Sequence, residues 1–315
     1  MDDENVTVSH EQLLDCHIKS LYCSYDKISQ RATMNAVMDR EHQINAELGK
    51  FTVSREDLNN ALSRLSKGKA IGIDGVSDVN LHDIAALTTA KDGLDGTGFL
   101  LAKLNALFHS AYWPSYLGTA RIVALSKTKD EFPTLAKVRT IAILPAISKL
   151  VELCIIMRLE PICYDNVDII ADEQAGFRPG AGCEVQVTRL LSAIELIKKA
   201  MKPGVYNKAN GEYYIAMLDS EKAFDRVDPT MLVATMVRQG IPMQLVLQVT
   251  KWLSINHVQL AEGRLKTRVS TPQGSIQSPL YFSVMINGLA EVVKATGAKI
   301  LLFADDILIL ARGKA

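Results

Sequence analysis

The sequence predicts an α+β fold, on three observations. Apolar residues recur at helical spacing in several stretches before residue 200, two β-rich runs lie close together near residues 120 and 140, and from Tyr213 onward the pattern reads β-α-β-β-α-β. That last order is the one expected of an α+β domain with an antiparallel sheet.

The elements follow in chain order. Residues 1–50 give little periodicity. Ser54-Arg55-Glu56-Asp57 forms a capping box, after which Leu58, Leu62 and Leu65 recur at helical spacing up to Lys67-Gly68-Lys69. Gly72-Ile73-Asp74-Gly75 is a turn, and Gly93 to Gly98 is read as a loop. Leu100, Leu101, Leu104 and Leu107-Phe108 mark a helix that stops near Trp113-Pro114. Ala120–Leu125 and Val138–Ile143 predict a hairpin with a cationic tip. Helical pattern returns from Ser148 to Leu159 and from Glu184 to Ala200, and Pro203-Gly204 with the polar run Asn207–Gly211 reads as a subdomain boundary. Beyond it come a strand (Tyr213–Leu218), a helix (Pro229–Gln239), two short strands (Val258–Leu260 and Leu265–Ser270), a long helix (Ser278–Ala295) and a final apolar run.

Composition excludes several classes. The chain has 315 residues and an ordinary apolar fraction, so it is neither disordered nor fibrous. Its acidic start lacks the flank and apolar core of a signal peptide, and no stretch is long enough to span a bilayer, so an intracellular location without membrane contact is expected. Cys16, Cys23, Cys154, Cys163 and Cys183 include no pair at zinc or redox spacing, and the six histidines show no metal spacing. Net charge is zero, which argues against a simple polyanion binder. Distribution matters more: residues 101–150 hold Lys103, Arg121, Lys127, Lys129, Lys137, Arg139 and Lys149 against Asp130 and Glu131. That segment is either a solvated surface or a wall facing phosphates. Trp113, Trp252 and Phe177 read as core residues rather than base-stacking platforms.

The chemistry gathers at two apolar runs that end in acids. Lys299–Phe303 and Ile307–Leu310 are strand-like and flank Ala304-Asp305-Asp306. Taken alone, the acidic pair could simply be a hairpin turn. A second apolar strand, Tyr213–Leu218, ends in Asp219. If the strands pair, Asp219 and Asp305 converge, and converging carboxylates cost several kcal/mol per ion unless a cation neutralises them. Hard oxygen donors select Mg²⁺ or Mn²⁺, and two such ions about 4 Å apart form the clamp used for in-line phosphoryl transfer.

Here a family resemblance becomes specific. Asp219-Ser220-Glu221-Lys222-Ala223-Phe224-Asp225 resembles the first carboxylate motif of reverse transcriptases of the non-LTR retrotransposon type. Gln273-Gly274-Ser275-Ile276-Gln277-Ser278-Pro279-Leu280-Tyr281-Phe282 resembles their second palm motif, and Phe303-Ala304-Asp305-Asp306 their third. Looser likenesses precede these in order: Lys67-Gly68-Lys69-Ala70 with Gly72–Gly75, then Lys127, Arg139, Ile141–Pro145 and Ser148-Lys149, then Glu173-Gln174-Ala175-Gly176-Phe177-Arg178-Pro179-Gly180. Together they cover residues 51–312. The chain departs from the family pattern at Ile71, Ser126 and Thr140.

The resemblance implies a polymerase right-hand fold. Residues 1–50 would be an N-terminal extension, 51–202 helical and hairpin fingers, and 203–315 a palm with a ferredoxin-like antiparallel sheet, cut off after the Asp-Asp hairpin with the thumb absent. It implies RNA-templated DNA synthesis by nucleotidyl transfer, with two Mg²⁺ ions (Mn²⁺ possible) held by Asp219, Asp305 and Asp306 as catalytic carboxylates. Lys127, Arg139, Phe224, Gln273 and Gly274 would bind the dNTP, and an RNA template and DNA primer would be the macromolecular partners. Phe224 is expected to exclude a 2′-hydroxyl by a steric clash. Group II intron maturases are close in motif, viral RNA-dependent RNA polymerases more distant, and a truncated remnant that only binds RNA is the alternative outside catalysis.

Overall fold

The structure is a computed structural model describing residues 27–89, 94–126, 138–200, 212–220, 223–260, 263–266, 271 and 273–313. In chain order its elements begin with α1 (Lys27–Asp39), α2 (Glu41–Leu48), α3 (Arg55–Arg64), α4 (Asp78–Ala86), β1 (Thr88–Thr89), β2 (Leu94–Asp95), α5 (Gly96–His109), β3 (Thr119–Ser126) and β4 (Val138–Ile143). They continue with α6 (Ala146–Tyr164), α7 (Cys183–Ala200), β5 (Glu212–Asp219), α8 (Pro229–Arg238), α9 (Met243–Ser254), β6 (His257–Leu260), β7 (Gly263–Lys266), α10 (Ser278–Ala295), β8 (Lys299–Phe303) and β9 (Asp306–Gly313). Among the described residues no helix is long and apolar enough to cross a membrane.

Local chemistry sets three of the helix starts. Ser54 accepts from the Asp57 backbone N–H and the Asp57 side chain accepts from Ser54 N–H, so the predicted capping box forms, and α3 buries Leu58, Ala61 and Leu62. Ser77 and Asn80 do the same for α4. Asp228 caps α8 by accepting from Thr230 and Met231 N–H, with Pro229 in the first turn. The segment read as a loop from Gly93 to Gly98 instead contributes β2 and the first turn of α5.

The chain divides into two compact units, neither of them a continuous run. One comprises 27–162 and 224–278 among the described residues. Its centre is α6, apolar on nearly every side, with Leu150, Val151, Leu153, Ile155 and Leu159 all buried. An aromatic chain runs through it: Phe51 to Phe108 at 4.7 Å, Phe108 to Trp113 at 5.6 Å, and Trp113 to Trp252 at 6.4 Å between ring centroids. Both tryptophans are therefore core residues, as their sequence context suggested. The predicted hairpin forms with β3 and β4 antiparallel, Arg121 opposite Ile143 and Leu125 opposite Arg139; its tip lies outside the described residues.

The other unit holds, among the described residues, 163–200, 212–220, 223 and 279–313. Its sheet has the order β5-β9-β8, antiparallel throughout. The β-α-β-β-α-β reading, with all strands in one ferredoxin-like sheet, needs correction here. β6 and β7 do not join β5; they extend the hairpin sheet in the order β4-β3-β6-β7, with β6 parallel to β3. The reason is α9, a helix that periodicity did not single out. It follows α8 directly, buries Leu245, Val246, Val249 and Trp252, and returns the chain so that His257 N–H donates to Gly118 O at 2.9 Å. Phe177 is the second correction: it is 51% exposed, not core. Its backbone sits at φ 61° and its carbonyl accepts from Tyr164 Oη at 3.0 Å, so the main chain is anchored and the ring is directed outward.

Candidate active site

The β5-β9-β8 sheet has two unlike faces, because side chains alternate and directly opposed residues share a face. Ile300, Leu302, Ile307 and Ile309 are buried on one. The other carries Ile215 and Met217 of β5, both exposed, and ends in the acids.

Register places those acids at one edge. β5 and β9 pair in full, with Leu218 opposite Ile307 and Asp219 opposite Asp306. Phe303 pairs with Asp306 across the β8–β9 hairpin, so Ala304 and Asp305 form its two-residue loop. The cross-strand neighbour of Asp219 is thus Asp306, with Asp305 one residue away on the turn. Asp219 and Asp306 are exposed and Asp305 is half-buried.

Hard carboxylate oxygens on adjacent strands suit Mg²⁺ or Mn²⁺ as a donor set. Among the described residues no three His, Cys, Asp or Glu side chains are gathered tightly enough to enclose an ion. Like charges without a cation have no reason to close up, since each gains more from water than from its neighbours. The residue types and backbone placement fit such an ion.

Behind the turn lies a buried support that sequence reasoning quoted but assigned no role. Glu173–Gly176 runs beside β8: Leu302 N–H donates to Glu173 O at 3.0 Å, and Ala175 N–H donates to Leu302 O at 2.9 Å. Gln186 of α7 ties the two by donating from Nε2 to Glu173 O and Leu302 O, each at 2.5 Å. Gly176 approaches so closely that a Cβ there would collide with the Ala304 backbone nitrogen.

Within the first unit the structure brings together part of the predicted nucleotide-binding set. Ala142 N–H in β4 donates to Gln273 O at 2.6 Å. Gly274 stands at φ +117°, and a Cβ on it would strike Ala142 O. Gln273 and Gly274 therefore lie against the strand that carries Arg139 three residues earlier. Lys127 lies outside the described residues, as does the side chain of Arg139. Phe224 begins a 3₁₀ turn, Phe224–Arg226, after β5 has ended, and is half-buried.

The Gln273–Gln277 turn has its own buried anchor, Glu152 of α6. Ser275 Oγ donates to one carboxylate oxygen and Ile276 N–H to the other at 3.0 Å, while Gln277 Nε2 donates to Glu152 O at 3.1 Å. Burial pushes the Glu152 carboxyl up to about 7, partly offset by the hydrogen bonds from Ser275 and Ile276 and by the Lys149 charge. A lone acid inside the apolar run Leu150–Ile156 was the sequence signal for it.

The reverse transcriptase (RNA-dependent DNA polymerase) family model matches residues 126–315, more than half of the chain. The chain belongs to that family. This reverse transcriptase is 27% identical over 275 residues to the RNA-directed DNA polymerase from mobile element jockey of Drosophila melanogaster, covering 83% of this chain and 28% of that protein. To the probable RNA-directed DNA polymerase from transposon BS of the same fly it is 26% identical over 273 residues, covering 81% and 27%. The chain thus spans a little over a quarter of the length of these curated relatives. Among solved structures, apo telomerase from Candida Tropicalis aligns over 65% of this chain and 40% of its own, with a TM-score of 0.45 and 13% identity. The mobile-element relatives bear out the resemblance to non-LTR retrotransposon reverse transcriptases.

Proposed function

We propose that this reverse transcriptase carries the polymerase centre of a retroelement, extending a DNA primer on an RNA template with dNTPs. The observation that carries this reading is the register that sets Asp219 opposite Asp306 with Asp305 on the adjoining turn. Asp219, Asp305 and Asp306 would hold Mg²⁺, or Mn²⁺ in its place. When bound, such ions supply charge neutralisation for the triphosphate and lower the pKa of the primer 3′-hydroxyl.

The chain's own residues do the rest by positioning. Arg139, whose guanidinium suits bidentate contact, and Lys127 would pair with the β- and γ-phosphates. Gly274, with no side chain and its backbone against β4, lets a nucleotide approach the main chain beside Gln273. Phe224 would press on the sugar and reject a 2′-hydroxyl.

The test is primer extension on an RNA template with dNTPs and Mg²⁺. Extension that depends on the divalent ion and is lost in Asp219→Asn and Asp305→Asn is expected. Extension that survives either substitution overturns the assignment, and RNA binding without any extension favours the binding-module alternative.

A further inference from the structure

We propose that Gln174 is the positioning residue for the catalytic turn, fixing through the Ala304 backbone where Asp305 and Asp306 stand. This rests on reading those aspartates, with Asp219, as the polymerase carboxylates.

Gln174 is 1% exposed, and both ends of its carboxamide are used. Oε1 accepts from Ala304 N–H at 2.9 Å and from Gly176 N–H at 2.8 Å, and Nε2 donates to Ala304 O at 3.3 Å. The side chain therefore grips the peptide units on both sides of one Cα. That Cα is in an unfavoured state: Ala304 has φ 55°, a left-handed conformation costing an L residue about 1–2 kcal/mol. A non-glycine persists there only where its surroundings over-determine it. Among the described residues no other side chain hydrogen-bonds to Ala304.

The geometry explains why a carboxamide is needed. Ala304 presents one donor and one acceptor to the buried side, and only a side chain with both, long enough to span them, satisfies the pair. The Ala304 carbonyl belongs to the peptide that leads into Asp305, so the Nε2 contact orients the plane from which that carboxylate projects. Gly176 completes the seat, since any side chain there would displace the Ala304 nitrogen. Gln174 touches no carboxylate; it acts on them through the turn.

The experiment reads Mn²⁺ binding by electron paramagnetic resonance on the full chain, together with hydrogen exchange at the Ala304 amide. Gln174→Met removes all three polar contacts at similar volume and is expected to weaken Mn²⁺ binding about tenfold, the usual effect of losing a group that orients metal-holding residues. Ala304 exchange should accelerate, and the melting temperature should fall by several degrees because buried backbone groups lose their partners. Ala304→Gly in the Gln174→Met background should recover part of the binding, because glycine adopts the turn conformation without support; a pure packing loss would not be rescued this way. Folded Gln174→Met that binds Mn²⁺ like the wild type overturns the proposal. If Gln174→Met does not fold, the wild-type chain still decides: slow Ala304 exchange supports the seat, and rapid exchange overturns it. Wild-type binding no better than that of Asp219→Asn would instead defeat the polymerase-carboxylate reading itself.

Discussion

Asp219, the last residue of β5, stands directly across the antiparallel register from Asp306, the first residue of β9. Like charges in opposed positions destabilise a strand pair by up to about 1 kcal/mol. A pair arranged this way gives up stability that a bound divalent cation would restore.

Two measurements follow from that pair. In EDTA, Asp306→Asn should raise the melting temperature by about 2 °C, since one of two repelling charges is gone. Added Mg²⁺ should stabilise the wild type and not the variant. In primer extension, Asp219→Asn should lower the rate by about 10³-fold or more, equivalent to several kcal/mol of charge stabilisation.

Glu152 predicts a pH dependence of stability. Its folded-state value of about 7 lies above the ordinary 4.5, so between those values the native state keeps a proton that the unfolded chain has lost. The stabilisation is complete below the lower value and fades as pH rises through the upper one. Urea denaturation should show the wild type less stable at about pH 8 than at about pH 5, and Glu152→Gln should flatten the difference. An equal slope in the variant would assign the pH dependence to other groups.

Gly274→Ala should be harmful out of proportion to its size. The new Cβ meets Ala142 O at a φ of +117°, a conformation that L residues rarely adopt. A loss of about 1–3 kcal/mol of stability is expected, with a raised KM for dNTP because the turn must move off β4. Unchanged KM with reduced stability would confine Gly274 to folding.

Phe224→Ala, in an active enzyme, should raise ribonucleotide incorporation relative to deoxyribonucleotide while leaving divalent-ion dependence intact. The check is competitive incorporation of the two sugars opposite one template base. A parallel fall in both would make Phe224 a packing residue.

Much of this was legible in the chain itself. The capping box at Ser54, the β3–β4 hairpin, the apolar run into Asp219 and the hairpin around Asp305-Asp306 follow from periodicity, turn chemistry and motif order, all of which are local. α9 was missed although its apolar residues, from Leu245 to Leu253, recur at helical spacing, because no side chain caps its start at Pro242 and so no local signal marks the boundary. Phe177 was misread because burial of an aromatic is a statistical tendency, whereas its backbone is held by Tyr164.

The sequence by itself determined many of the helices and strands and where the three aspartates fall along them, because side-chain period and turn residues are written into neighbouring positions. Only the tertiary structure decided that β6 pairs with β3 rather than β5, that Asp306 rather than Asp305 is the cross-strand neighbour of Asp219, and that the Gln174 carboxamide closes on Ala304. Those are contacts between residues 87 to 138 positions apart along the chain, chosen by how strands register and which buried polar groups must be satisfied.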